Sequence, residues 1–276
     1  MKSSLASRAA QYPTRAISEL GEQVRFYTKI VASIPATARK YPREIKRLLA
    51  EVSLGSGALA LIGGTVLVVM FLSTAIGIEV GLEAYTTFGQ IGVDALSGFF
   101  SAYFNTRESG PILTLIALTA TVGAGFTAQI GAMRVSEEID ALDVMAVPSV
   151  PYLVTTRVIA GLIAVVPLFA IGVTTMFFMT RIIVTVGYGQ AGGTYQHYFN
   201  TFLVPGDIFL AFLKVIITSI AIMAISCYYG YTASGGPAGV GRAVGYSVRA
   251  SLIIIMVIDL LFGFAFWGGP SARIAG

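Results

Sequence analysis

Charge is what this sequence lacks. Only 12% of its 276 residues are Asp, Glu, Lys or Arg, against roughly 25% in an average soluble domain. In their place 55% are hydrophobic, and the mean hydropathy is +0.80. A deficit spread over the whole length excludes an ordinary soluble domain and indicates an integral membrane protein. Cys227 is the sole cysteine, so an internal disulfide is excluded, and it lies in an apolar run as a buried small hydrophobe. His197 is the sole histidine, which leaves no Cys/His cluster for zinc. No GxSxG elbow accompanies His197, so it reads as a polar residue facing an interface or partner. No GxxxxGK[ST] occurs, and GGPAGVG at 235–241 lacks the following Lys-Ser/Thr. The chain is therefore expected not to be an enzyme, and any ATP hydrolysis would belong to another chain. No metal, cofactor or nucleic acid is expected. The first 50 residues are polar and basic, without the apolar core of a secretory signal.

Long apolar runs are what it has. About 20 residues of helix cross the hydrocarbon core, and five runs qualify: Leu54–Ile78, Ser109–Met133, Val158–Thr180, Ile208–Tyr231 and Val244–Trp267. Residues 1–53 hold ten of the eighteen lysines and arginines. With the N-terminus inside, Arg134, Arg157, Arg242 and Arg249 also fall inside, and Arg107, Arg181 and Arg273 outside. That bias predicts a cytoplasmic N-terminus and an outward C-terminus in the plasma (inner) membrane. In 18–34 the spacing of Leu20, Val24, Tyr27, Val31 and Ile34 predicts an amphipathic interfacial helix, broken by Pro35 and Pro42. Residues 84–106, which include Asp94, read as an outer-interface or partly re-entrant helix leading into span two, with an extra span as the alternative. Gly57, Gly63, Gly64, Gly123, Gly125 and Gly131 suit close helix packing.

Two features stand out against this background. SEEIDALDVM is a short acidic helix between spans two and three, roughly 15 Å long. It is N-capped by Ser136, with anions in its first turns, an apolar stripe of Ile139, Leu142 and Met145, and a stop at Pro148 and Pro151. It is either a capped connector or a docking helix for a soluble partner's groove. The second feature is Lys214 and Asp259, at matching depths in spans four and five. Ionisable groups there are costly, so the two are expected to form an ion pair, as a structural staple or in contact with a headgroup or gate.

Three blocks carry a resemblance: GFTAQIGAMRVSEEIDALDVMAVPSVPYLVTTR, CYYGYTASGGPAGVGRAV before the span with Asp259, and Arg107-Glu108-Ser109-Gly110-Pro111. Together they are similar to the MlaE/YrbE family of ABC-transporter permeases, which move lipids together with MCE proteins. The chain looks like an actinobacterial (mycobacterial) YrbE protein, of the B type. The resemblance implies an all-α membrane permease: basic interfacial helices over 1–53, a permease domain over 54–268 and a short tail over 269–276. It implies a coupling helix at about 136–146, with Arg134, Glu137, Glu138, Asp140, Leu142 and Asp143 meeting an ATPase. The partners implied are a second YrbE-type permease in a heterodimer, a cytoplasmic ABC ATPase dimer, periplasmic MCE-domain proteins and a lipid. The lipid path would be lined by Met70, Phe71, Ile76 and Phe126. One departure is visible: where many members carry an arginine near Val122 in an A-G-R-x-G pattern, this chain reads TATVGAG. The rival readings are a secondary transporter and a non-transporting scaffold.

Overall fold

The computed structural model describes residues 3–54 and 64–268, and every element among them is helical. Helix α1 (Ser3–Lys40) and α2 (Pro42–Leu54) precede the bundle. The helices long and apolar enough to cross a membrane are five: α3 (Gly64–Gln90), α4 (Asp94–Val135), α6 (Val150–Gly187), α8 (Pro205–Tyr231) and α9 (Gly236–Trp267). Between them lie two short helices, α5 (Glu138–Val144) and α7 (Gly192–Phe202), at opposite ends of the bundle.

Helix α1 runs through Pro35 and stops at Lys40, beyond the expected break. Pro42 opens α2, where a proline's missing N–H costs nothing. Along α1, Ile30 and Thr37 face the bundle, while Arg25, Lys29 and Lys40 stay exposed.

The first span begins later than its apolar run suggested. Residues 55–63, including Gly57 and Gly63, lie outside the described residues, and α3 continues to Gln90. It therefore carries Glu79 and Glu83 at its far end, where an uncharged span ending at Ile78 was expected. The outer segment over 84–106 is not one helix, although its second part does lead into the second span. Residues 84–90 finish α3, Gly92 turns the chain in the left-handed region at φ +74°, and 94–106 are the first turns of α4. At 42 residues α4 is about 63 Å long, twice the hydrocarbon thickness. Its leading turns pack on α7 and also on the far end of α3.

Helix α6 is the hub, packed against α2, α3, α4 and α8. The α3–α6 contact is close because Gly77 has no side chain: a Cβ there would lie 2.8 Å from the Met176 carbonyl oxygen. Gly123 and Gly131 of α4 abut Ser226 and Val240 in the same way, whereas Gly125 faces open space. Helix α9 sits on one side, against α8 and α4, with much of its length uncovered.

Candidate functional site

Three charged or polar assemblies sit at different levels of the bundle. The first lies at the α7 end. Helix α4 widens into a π-helical turn at Asn105–Ser109, which fans out three successive side chains. Arg107 donates from Nε and Nη2 to Asp207 Oδ2 of α8, at 3.0 and 2.6 Å. Trp267 of α9 donates to the other carboxylate oxygen at 2.9 Å, and the guanidinium lies 4.0 Å from the Tyr103 ring centroid. Lys214 of α8 places Nζ 2.6 Å from Asp259 Oδ1 of α9 and donates also to the Arg107 carbonyl. Glu108 is close enough to the same Asp259 to interact with it. Two cations and three carboxylates thus tie α4, α8 and α9 together. Every one of them is partnered, as burial in an apolar bundle requires.

The second assembly is a cleft of about 530 Å³ between α3 and α4. Ile76, Phe100, Phe104 and Ile112 give it apolar walls, and Glu79 and Glu83 of α3 and Glu108 of α4 also line it. Glu108 belongs to both cleft and ion cluster, so the two are joined through one residue. An apolar slot with a few polar groups in its lining is a common form of ligand site.

The third assembly is at the α5 end. Two residues after α4 ends, the chain re-enters helix through Glu137 at φ +61°; it leaves α5 through Ala146 at φ +57°. Both are in the left-handed region that side chains ordinarily avoid. Ser136 does not cap α5: its hydroxyl donates back to the Ala132 carbonyl at 3.0 Å and to Glu138 Oε1 at 2.9 Å. The helix is therefore Glu138–Val144, shorter than the expected 136–146. Ile139 is fully buried against the bundle, Leu142 is half-buried, and Val144 and Met145 are exposed at 87% and 64%. The expected stripe is split: one end anchors α5 and the other is left uncovered. Arg134 holds Asp140 at 2.6 Å, while Glu137, Glu138 and Asp143 stay exposed.

Between these ends a relay joins α2 to the spans. Gln129 of α4 donates to Glu51 of α2 at 2.6 Å and accepts from Arg157 of α6 at 3.3 Å. Glu51 also pairs with Arg47 at 3.5 Å, and Arg47 with Glu44. The hydrogen bond from Arg47 holds the Glu44 carboxyl below its ordinary value. On α1, burial, with Tyr228 and Tyr229 nearby, pushes the Tyr27 phenol up to about 12.

A family model described as permease MlaE matches residues 55–265. The chain belongs to the MlaE permease family. A probable ABC transporter permease protein of Rickettsia bellii is 33% identical over 67% of this chain and 71% of its own length. The chloroplastic protein trigalactosyldiacylglycerol 1 of Arabidopsis thaliana is 30% identical over 73% of the permease, which spans 58% of that relative. A probable ABC transporter permease protein of Synechocystis is 29% identical over 62% of this chain and 65% of its own.

Of the residues singled out in the sequence, the fold brings Lys214 and Asp259 into contact and gathers Arg134 with Asp140. Met70 and Phe71 are exposed on α3, and Ile76 lines the cleft. Phe126 does not join them: it is buried at 3% exposure, with its ring 5.5 Å from the Arg157 guanidinium. Sequence reasoning missed Glu79 and Glu83 because the first span was drawn too early. It missed the Arg107–Asp207 pair although Arg107 and Glu108 opened one of the quoted blocks.

Proposed function

We propose that this permease is the membrane subunit of an ATP-driven lipid transporter, paired with a second YrbE-type permease and driven by a separate cytoplasmic ABC ATPase dimer. MCE-domain proteins would meet its α7 end. The single observation that carries the reading is the α3–α4 cleft. Its apolar walls match acyl chains, and three carboxylates, Glu79, Glu83 and Glu108, are available in its lining to a polar headgroup. The name of the Arabidopsis relative, that of a glycolipid, supports a lipid cargo.

Helix α4 supplies the linkage. It lines the cleft at Glu108 and ends at Val135, two residues before the turn into α5. A motor that grips Val144, Met145 and the carboxylates of α5 would pull on the same rod that walls the cleft. The basic α1 and α2 helices favour the α5 end as the cytoplasmic one. The uncovered face of α9, with Ile253, Met256, Val257 and Leu260 exposed, offers a surface for the second permease.

Reconstitution with the co-purifying ATPase in proteoliposomes tests the reading. Lipid should accelerate ATP turnover, and Val144→Asp with Met145→Asp should uncouple turnover from lipid transfer while leaving the permease folded. Lipid transfer that persists in full without any ATPase would sink it.

A further inference from the structure

We propose a second lipid-binding site in this permease, a narrow cleft between α4, α6 and α8 that takes one acyl chain of a bilayer lipid and hydrogen-bonds its ester carbonyl through Thr106. The cleft has a volume of about 210 Å³ and is walled by Phe169, Val173, Phe177, Ile208 and Phe212. It is separate from the slot between α3 and α4: the π-helical turn of α4 presents Thr106 to one and Glu108 to the other.

Thr106 is the observation that points to a ligand. It lines the cleft at 2% exposure, and its hydroxyl has no hydrogen-bond partner among the described residues. Helical threonines commonly settle a buried hydroxyl on the carbonyl four residues back, as Thr114, Thr119 and Thr127 of the same helix do. Leaving a buried hydroxyl unpaired is costly, so an acceptor supplied from outside the chain resolves it. The depth suits an ester. Thr106 is adjacent to Arg107, whose partners Asp207 and Trp267 form a polar and aromatic belt of the kind found at headgroup level. From Phe177 to Phe169 the cleft then runs eight residues deeper, about 12 Å, with walls that are apolar apart from Thr174. Two of the wall residues, Phe169 and Phe212, pack edge-on to each other at 4.7 Å, and Phe177 is braced by Phe199 of α7 at 5.0 Å. A largely apolar slot with the unpaired Thr106 hydroxyl in its lining, and Thr174 as its other hydroxyl, selects an ester-linked chain over bulk hydrocarbon.

The inference does not depend on transport, and its test needs no ATPase. The permease is reconstituted in phosphatidylcholine vesicles containing phosphatidylcholine with a mid-chain diazirine, irradiated, and mapped by peptide mass spectrometry. Labelling should concentrate on the Phe169–Phe177 and Ile208–Phe212 segments. Thr106→Val should lower it about three- to tenfold, the loss expected for one buried hydrogen bond, and Thr106→Ser should restore it. Ala170→Phe, which fills the slot, should abolish it. Labelling spread evenly over every lipid-facing helix, or cleft labelling indifferent to Thr106→Val, would overturn the proposal.

Discussion

Lys214 on α8 is 1% exposed, and its ammonium lies 2.6 Å from the carboxylate of Asp259 on α9. The pair is one link in a chain that also includes the Arg107 carbonyl and Glu108. Removing one partner strands a buried charge, whereas removing both leaves an apolar contact. Lys214→Met and Asp259→Leu should each cost about 3–5 kcal/mol, and the double variant clearly less than their sum. Thermal unfolding in detergent for the four proteins gives the coupling. Additive losses would show that the two groups are solvated independently.

The large features of this fold were legible because hydropathy reports length and apolarity directly. Charge asymmetry and five apolar runs led to five long helices. Boundaries were less legible, for physical reasons. Glu79 and Glu83 break the apolarity of α3 without breaking its helix, because carboxylates at a span's end are tolerated there. Residues 94–104 look interfacial because they are aromatic, yet they are continuous with the span that follows, as the first turns of a helix longer than a membrane. Ser136 resembles a cap, but the strained turn at Glu137 moves the helix start and leaves the hydroxyl bonding backwards. The Arg107–Asp207 contact spans 100 residues of sequence and has no local signal. Only the packing of α4 on α8 brings the two together.

Glu137 sits at φ +61°. A side chain in that conformation costs about 1–2 kcal/mol, while glycine adopts it freely but adds about 0.5–1 kcal/mol of unfolded-state entropy. Glu137→Gly should therefore leave stability unchanged or raise it by up to about 1 kcal/mol. Glu137→Val, β-branched in the same conformation, should lower the melting temperature. If Glu137→Gly were the more destabilising of the two, the left-handed turn would not be what sets the start of α5.

The leading turns of α4 touch α7 through Gly98. A Cβ there would lie 2.3 Å from the Tyr195 carbonyl oxygen, and that oxygen belongs to backbone that cannot rotate away. Gly125, in the same helix, has nothing within 4 Å. Gly98→Ala should cost about 1–3 kcal/mol by overpacking, and Gly125→Ala should be neutral or stabilising by up to about 1 kcal/mol. Hydrogen exchange separates local from global effects: Gly98→Ala should loosen α7 before the rest of the bundle. Equal behaviour of the two variants would contradict the close approach of α4 and α7.

Acid should weaken the α2 helix through Glu44. Its carboxyl accepts from Arg47 at 2.5 and 3.0 Å, which lowers its pKa in the folded protein below the ordinary 4.5. A depressed carboxylate contributes stability that is fully present above its unfolded pKa and lost as pH falls through the folded one. The gap in melting temperature between the native protein and Glu44→Gln should therefore hold from neutral pH down to about 4.5 and close below it. The gap should be small, because Arg47 is 60% exposed and such pairs contribute at most about 1 kcal/mol. High salt should narrow it further at neutral pH. A gap that widens on acidification would mean that Glu44 is destabilised by its charge, and that the Arg47 contact does not govern it.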